Sequence, residues 1–160
     1  MIKLIGLNKT YNKNTDAEVR ALRDIDLTLG DSGLVVILGT SGSGKSTLLN
    51  VIGALDGFDS GDIVVDGKSL KSLSKAESAD YRNLHVGFVF QENNLIESFS
   101  VEENIGIASE LKGEKGERKV IDEILSDVGL RGYATRRVAD MSGGQKQRVA
   151  IARALIKNPT

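Results

Sequence analysis

The sequence predicts an α/β fold that carries a helical insertion, and three patterns lead to this prediction. Residues 34–38 form a continuous apolar run rich in β-branched side chains, which is typical of a strand buried on both faces of a parallel sheet. A second short apolar run covers 86–90 and ends at Gln91. From Ser100 onward the apolar residues follow helical spacing. Buried strands that each lead into a loop or a helix indicate an α/β protein.

The N-terminal part of the chain is predicted to contain strands and tight turns. Residues 22–29 alternate apolar and polar side chains through most of their length, as a strand with one solvated face does. Residues 61–65 form another predicted strand, and the Asp66-Gly67 pair after it favours a tight turn. These segments belong to a β portion and core within about residues 1–91.

Apolar spacing and capping residues predict the helices. The first covers about 46–54, directly after a glycine-rich loop, and the second covers about 74–82. A third has apolar residues at helical spacing over 120–128, and Gly129 after it is a suitable C′ residue. The last covers about 142–157 and begins on a serine, which is a favourable N-cap.

Composition excludes several classes of protein. The 160 residues carry 21 Lys and Arg against 22 Asp and Glu, which argues against a basic nucleic-acid-binding module. No cysteine is present, so a disulfide scaffold and a cysteine-ligated zinc site are excluded. No apolar run is long enough to span a bilayer, and the N-terminus does not read as a signal peptide. A soluble protein of a reducing compartment is the expectation.

Residues 39–46 match the pattern G-x-x-x-x-G-K-S/T between a predicted strand and a predicted helix, which is the context that this phosphate-binding motif requires. A glycine-rich turn lets backbone N–H groups converge on phosphate oxygens, and the helix adds its positive end. We expect Lys45 to neutralise phosphate charge and the Ser46 hydroxyl to bind Mg²⁺. A chance glycine-rich turn is the less favoured alternative. The residues expected at the phosphates are Gly39, Thr40, Ser41, Gly42, Ser43, Gly44, Lys45, Ser46 and Thr47.

Two other nucleotide-binding classes fit the sequence less well. A GTPase is expected to carry an N-K-x-D element, but the segments that begin at Asn8 and Asn12 lack the aspartate. A small-molecule kinase does not account for the sequence M-S-G-G-Q at residues 141–145.

The M-S-G-G-Q segment resembles the L-S-G-G-Q signature of ATP-binding cassette (ABC) transporter ATPases, with Met141 in place of leucine. The resemblance covers essentially the whole chain. It implies a P-loop NTPase core with an N-terminal antiparallel β portion in about 1–91, a helical subdomain in about 92–141 and a signature helix in about 142–157. It also implies that the signature contacts the ATP of a second subunit in a head-to-tail dimer, through Ser142, Gly143, Gly144 and Gln145. Taken alone, these residues are an ordinary N-cap with a flexible entry.

Two further residues take their expected roles from the resemblance. Gln91 stands at the place of the family's Q-loop glutamine and would contact Mg²⁺ or the attacking water, although a glutamine here is commonly a solvated loop residue. With Lys45, it is the expected catalytic group. Tyr11 stands where the family places an aromatic ring that stacks on adenine, although such a residue is commonly only packed. Arg148 and Arg153 are expected at the surface or between domains.

The sequences around residues 42–56 and 81–91 are similar to those of ATPases partnered with FtsX-like permeases, which serve lipoprotein release, macrolide export and antimicrobial-peptide resistance. This resemblance implies ATP and Mg²⁺ as cofactors. It implies a transmembrane permease as partner, contacted largely through residues 92–107, and a second ATP-binding subunit. The expected location is the cytoplasmic face of the cell membrane.

The family places an Asp-Glu pair at the end of an apolar strand after the signature helix, but no Asp or Glu follows Gln145 in this chain. The sequence therefore predicts an N-terminal fragment of such an ATPase, which retains weak nucleotide binding at most and does not hydrolyse ATP at a normal rate. Strands 34–38 and 86–90 would then have unpaired edges.

Two alternatives stay open. One is an ABC ATPase that acts on ribosomes or DNA, although the near-neutral charge offers no nucleic-acid footprint. The other is a nucleotide-binding module with a regulatory role instead of a motor role.

Overall fold

A computed structural model describes residues 1–113 and 117–159. The chain forms two compact units, Met1–Ala79 and Asp80–Thr160. No helix within the described residues is both long and apolar enough to cross a membrane. In chain order the elements are β1 (Ile2–Tyr11), β2 (Val19–Leu29), α1 (Lys45–Ile52), β3 (Ser60–Val65), β4 (Lys68–Ser69), α2 (Lys75–His85), α3 (Val101–Leu111), α4 (Arg118–Asp127), a 3-10 turn (Val138–Asp140) and α5 (Gly143–Leu155).

The first unit is built on a four-stranded antiparallel sheet in the order β2–β1–β3–β4. The central strand β1 places Leu4 opposite Leu27 of β2 and opposite Ile63 of β3, so that apolar side chains form a row across the sheet. The core of this unit joins the sheet to α1 through the buried residues Leu4, Leu7, Leu22, Val51 and Ile63. The predicted strands at 22–29 and 61–65 are confirmed.

Three register shifts interrupt the pairing of β1 with β2, and two of them are bulges at residues with positive φ. One extra residue of β1 lies at Gly6, whose φ is 52°, and one extra residue of β2 lies at Asp24, whose φ is 48°. The Asp24 amide donates to Oδ1 of Asn8 at 3.0 Å, which holds the second bulge. Because of this bulge, Leu22 and Ile25 both contribute to the core although three positions separate them.

The turn between β3 and β4 explains why these strands form a hairpin. Asp66 and Gly67 both have positive φ values, 47° and 80°. This is the backbone of a type I′ turn, whose twist matches that of the flanking strands. Val65 and Lys68 pair on either side of it, as the Asp-Gly pair predicts.

The two apolar runs predicted as buried strands, 34–38 and 86–90, are not strands in the structure, so this prediction is wrong. Leu34 is 90% exposed and Leu38 is 85% exposed. A strand is buried on both faces only when other strands pair with its edges and packed layers cover its faces. Within the described residues, neither run pairs with a strand. High β propensity alone does not form a strand, because the hydrogen-bond partners lie outside the segment.

The helices of the second unit enclose their own apolar core. Helix α3 begins with a capping box, in which Oγ of Ser100 accepts the Glu103 amide and the Glu103 carboxylate accepts the Ser100 amide. Apolar residues from α3, α4 and α5 and the turns between them are buried together; they include Val101, Ile105, Ile121, Leu125, Leu130, Val138, Val149 and Ala152. The predicted subdivision into 1–91, 92–141 and 142–157 stays a prediction.

The end of α4 confirms the predicted role of Gly129. This glycine has a φ of 70°, and its amide donates to the carbonyl oxygen of Ser126 at 3.0 Å. The next amide, of Leu130, donates to the carbonyl oxygen of Leu125 at 2.7 Å. The pair of hydrogen bonds is a Schellman motif, which satisfies carbonyl groups that the helix itself leaves free.

Candidate functional site

Helix α1 begins without the usual stabilisers of a helix N-terminus. Its N-cap is Gly44, in the left-handed conformation, and its first turn contains no acidic residue. Among the described residues, the amides of Gly42, Gly44, Lys45 and Ser46 have no acceptor. An anion placed here would gain both these donors and the positive end of the helix. The N-terminus of α1 is therefore suited to bind an anion such as phosphate.

The Lys45 side chain holds the preceding loop around its charge. Its ammonium group donates to the carbonyl oxygens of Gly39 at 2.9 Å and Thr40 at 2.7 Å, and to Oγ of Ser43 at 3.3 Å. All three acceptors are uncharged, so the positive charge has no ion-pair partner within the described part of the chain. A cation without a counter-ion beside free amides favours an anionic ligand.

The other predicted residues of this loop lie on the same segment. Ser41 and Ser46 are exposed, and Thr47 is half-buried in the first turn of α1. The Ser46 hydroxyl has no hydrogen-bond partner among the described residues, which leaves its oxygen available to a ligand. Gly42 has a φ of 79°, a conformation that glycine adopts at no steric cost. Residues 39–47 are named the phosphate loop below.

Tyr11 is the last residue of β1, and its ring is held by two charged groups. Its hydroxyl donates to Oδ2 of Asp56 at 2.8 Å, and the ammonium of Lys9 lies 4.9 Å from the ring centroid. Lys9 also pairs with Oδ1 of Asp56 at 2.8 Å. Burial acts to raise the pKa of Asp56, but the hydrogen bonds from Lys9 and Tyr11 outweigh it and hold that pKa below its ordinary value. No local pattern in the sequence marks Asp56, which lies 45 residues from Tyr11.

Gln91 belongs to the second unit and lies exposed in a turn, not at the end of a strand as predicted. The backbone after it is unusual, because Asn93 and Asn94 both have positive φ values. The structure therefore places Gln91 on a loop, where the side chain is accessible.

The predicted N-cap of the last helix, α5, is confirmed. Oγ of Ser142 accepts the amide of Gln145 at 3.3 Å, and Oε1 of Gln145 accepts the amide of Ser142 at 3.0 Å. Met141 before them is buried in the core of the unit. Gly143 and Gly144 are exposed, and their amides have no acceptor among the described residues. The exposed end of α5 thus presents two free N–H donors.

Tyr133 contacts the Gln145 side chain at this end of the helix. Its hydroxyl oxygen lies 3.4 Å from Nε2 of Gln145, and the guanidinium of Arg136 lies 4.4 Å from its ring centroid. The Gln145 side chain is thereby engaged at both its oxygen and its nitrogen. The expected contact of Gln145 with ATP stays a prediction. Its hydrogen bonds with Ser142 and Tyr133 were not predicted, although the S-x-x-Q pattern at 142–145 is the signature of a capping box.

A family model described as "ABC transporter" matches residues 22–160. Three curated relatives illustrate the similarity. The lipoprotein-releasing system ATP-binding protein LolD 1 of Rhodopseudomonas palustris is 40% identical, over 99% of this chain and 72% of that protein. LolD of Colwellia psychrerythraea is 38% identical, over 100% of this chain and 62% of that protein. The macrolide export ATP-binding/permease protein MacB of Chlorobaculum tepidum is 41% identical, over 99% of this chain and 24% of that protein.

Solved structures give the same result for the fold. The dimeric structure of MJ0796, a bacterial ABC transporter cassette, has a TM-score of 0.91 and 38% identity, over 99% of this chain and 71% of that one. A second structure of MJ0796, in a post-hydrolysis state bound to ADP and Pi, has the same values. The protein cbiO1 of Clostridium perfringens has a TM-score of 0.79 and 28% identity, with 62% of its chain covered. The predicted fold class is confirmed, and so is the predicted similarity to the ATPases of lipoprotein release and macrolide export.

Proposed function

Because the chain belongs to the ABC transporter family, we propose that it is the ATP-binding motor subunit of a membrane transporter. The observation that supports this most is the N-terminus of α1. It has free amides, no acidic residue in its first turn and a lysine whose charge has no counter-ion among the described residues. These features fit the phosphates of a nucleotide.

The phosphate loop would hold ATP and its metal ion through different atoms. The amides of Gly42 and Gly44 would donate to phosphate oxygens, and Lys45 would turn its ammonium group from loop carbonyls toward phosphate charge. We propose that Ser46 Oγ and Gln91 bind Mg²⁺. When bound, Mg²⁺ would neutralise part of the negative charge of the phosphates and so weaken their repulsion of an attacking water. We propose Gln91 as the residue that contacts this metal or this water.

We also propose that Tyr11 stacks on adenine. The hydrogen bond to Asp56 and the nearby Lys9 ammonium fix the ring before a ligand arrives, which reduces the entropy lost on binding. An aromatic ring with a fixed orientation is suited to an offset stack with a planar base.

Titration of the chain with Mg-ATP tests the phosphate loop. Lys45→Ala removes the charge-assisted hydrogen bond to phosphate and should weaken binding by about 10- to 100-fold. The matched control is Lys68→Ala, which removes the same charge from an exposed residue of β4 and should leave the affinity unchanged. Equal affinities of the Lys45→Ala variant and the wild type would contradict the proposed site.

The free amides of Gly143 and Gly144 support a second proposal, that α5 meets the ATP of a partner cassette in a head-to-tail dimer. Gly144→Glu would place a carboxylate beside those amides, where a helix N-terminus accepts it without loss of stability. The variant should lose ATP-dependent dimerisation in size-exclusion chromatography. Gln147→Glu makes a similar charge change further along α5 and should dimerise normally. A dimer that survives Gly144→Glu would contradict the role of α5.

The named relatives support a membrane permease as the other partner, and we propose one of the FtsX-like type, contacted through residues 92–107. The chain would then act at the cytoplasmic face of the membrane. Copurification with such a permease from solubilised membranes tests this. Recovery with RNA or DNA in a salt-sensitive manner, and without a permease, would contradict it.

A further inference from the structure

The loop that follows Gln91 has a backbone that needs outside support. Asn93 and Asn94 have φ angles of 61° and 47°, two successive residues in the left-handed region that L-residues seldom occupy. Asparagine usually tolerates this conformation by bonding its side chain to nearby backbone. Here Oδ1 of Asn93 is buried and has no hydrogen-bond partner. The side-chain oxygen of Asn93 therefore does not stabilise this backbone conformation.

Arg153 of α5 contacts the backbone of this loop. Its Nη1 donates to the carbonyl oxygen of Asn94 at 2.7 Å and its Nη2 to that of Asn93 at 2.8 Å. The planar guanidinium suits two successive carbonyl groups, whereas a lysine offers a single point charge. The Arg153 side chain is half-buried, and burial lowers its pKa. Among the described residues it makes no ion pair, so its strong donors serve this loop.

Helix α5 also contacts the segment after this loop at a second point. Nζ of Lys146 lies 2.8 Å from Oε1 of Glu97. Lys146 and Arg153 are seven residues apart, so they lie two turns apart on one face of the helix. The same helix begins at Ser142, about 16 Å from Arg153 along the axis. Helix α5 thus joins the amides of Gly143 and Gly144 at its N-terminus to the loop that carries Gln91.

We propose that Arg153 is a positioning residue, which fixes the backbone of Asn93 and Asn94 to α5 and thereby makes the position of Gln91 follow that of the signature end of the helix. This inference rests on the proposed role of Gln91 and adds to it a physical connection. A shift of Ser142 toward a nucleotide in a partner cassette is transmitted by α5 to Gln91. Without the two hydrogen bonds, the loop relaxes toward ordinary backbone conformations and Gln91 no longer follows the helix.

Three variants of the isotope-labelled chain test this by NMR. Arg153→Met removes both donors and keeps much of the apolar stem, and Arg153→Lys keeps one cation. Arg148→Met is the matched control, because Arg148 lies on the same helix and donates to two carbonyl oxygens of another turn, those of Val128 and Gly129. Amide exchange of Asn93 and Asn94 should rise at least about tenfold in Arg153→Met, less in Arg153→Lys, and not in Arg148→Met. Unchanged exchange in Arg153→Met would overturn the inference.

A second readout separates positioning from a merely structural role. With ATP bound and Mn²⁺ in place of Mg²⁺, the paramagnetic ion should broaden the Ser46 amide and the Gln91 side-chain amide of the wild type. Arg153→Met should lose the effect at Gln91 alone, and Arg153→Lys should restore part of it. The inference is overturned if the Gln91 signal broadens equally in all variants. It is also overturned if, in the wild type, the Ser46 signal broadens and the Gln91 signal does not. Absence of broadening at Ser46 contradicts the proposed nucleotide site, and the exchange rates then decide the role of Arg153.

Discussion

Gly44 lies so close to Ala21 of β2 that a Cβ atom on Gly44 would stand 2.5 Å from the carbonyl oxygen of Ala21. Gly44 also has a φ of 90°, where an L-residue is strained. The start of α1 is thus packed directly against the backbone of the sheet. This contact sets the place of the phosphate loop relative to β2, within the first unit.

Gly44→Ala should therefore destabilise the chain by about 2 kcal/mol or more, because neither the φ angle nor the contact with backbone admits a methyl group. Urea unfolding measures this. The control is Gly143→Ala, at a helical position where a Cβ meets nothing within 4 Å. It should change the free energy of unfolding by less than about 0.5 kcal/mol. Equal effects of the two substitutions would contradict the close packing at Gly44.

Tyr11→Phe should reduce stability in a pH-dependent way. The folded-state pKa of Asp56 lies below its ordinary value of 3.8, so this carboxylate contributes stability above pH 3.8 that is lost as the pH falls through the folded pKa. Removal of the Tyr11 hydroxyl should cost about 1 kcal/mol at near-neutral pH, and the difference from wild type should shrink in acid. Urea unfolding at several pH values checks this.

The control for that measurement is Tyr133→Phe. Its hydroxyl contacts the uncharged Gln145, so the loss of stability should not change with pH. A pH-independent effect of Tyr11→Phe would show that the Tyr11 hydroxyl does not act through the Asp56 carboxylate.

The two capping boxes should respond differently to acid. Ser142→Ala and Ser100→Ala should each cost about 1 kcal/mol at neutral pH through the lost N-cap. In α3 the Glu103 carboxylate accepts hydrogen bonds from the Ser100 amide and from the Ser100 hydroxyl, and both lower its pKa. The hydroxyl bond, which Ser100→Ala removes, therefore weakens as the pH falls through that pKa. In α5 the group is Gln145, which does not titrate.

The effect of Ser100→Ala should therefore diminish in acid, and the effect of Ser142→Ala should persist. Hydrogen exchange in the first turns of α3 and α5, measured at about pH 3 and pH 6 across the carboxylate range, separates the two helices. A parallel response of both helices would contradict the assignment of Glu103 as the titrating cap.

Asn104→Leu should be among the most damaging substitutions in the second unit. Oδ1 of Asn104 accepts the Ile96 amide at 2.8 Å, and Nδ2 donates to the carbonyl oxygens of Ile96 at 2.9 Å and Ser100 at 3.0 Å. Asn104 is only 1% exposed, and leucine would remove all three of these hydrogen bonds and leave the Ile96 amide without its acceptor, at a cost of about 3 kcal/mol.

Asn83→Leu is the matched control, because the Asn83 amide is half-buried and the structure gives it one such bond, to the carbonyl oxygen of Leu111. It should cost about 1 kcal/mol in chemical unfolding. If the two substitutions cost the same, the Asn104 amide is not the support of the 96–100 loop.

Local signals predicted the local features of this chain. The Asp66-Gly67 turn, the C′ glycine at 129 and the N-cap at Ser142 each depend on a few adjacent residues, and the structure confirms all three. The phosphate loop is predicted in the same way, because its glycines and its lysine are neighbours in the sequence, and its ligand stays a prediction.

Features that depend on distant residues were not predicted. The run 34–38 has the composition of a buried strand, but a strand needs partners elsewhere in the chain. The contact between Tyr11 and Asp56 joins residues 45 positions apart, and that between Arg153 and Asn94 joins residues 59 apart. No periodicity or spacing in the sequence marks such pairs, so they become visible only in the folded chain.

The burial of Met141 allows its oxidation to report the opening of the core of the second unit. The sequence contains two methionines and no cysteine, and Met141 is 6% exposed whereas Met1 is 42% exposed. Peroxide should therefore convert Met1 to its sulfoxide quickly and reach Met141 only when the core beneath the signature opens. The ratio of the two sulfoxides, read by mass spectrometry, gives the frequency of that opening without any label.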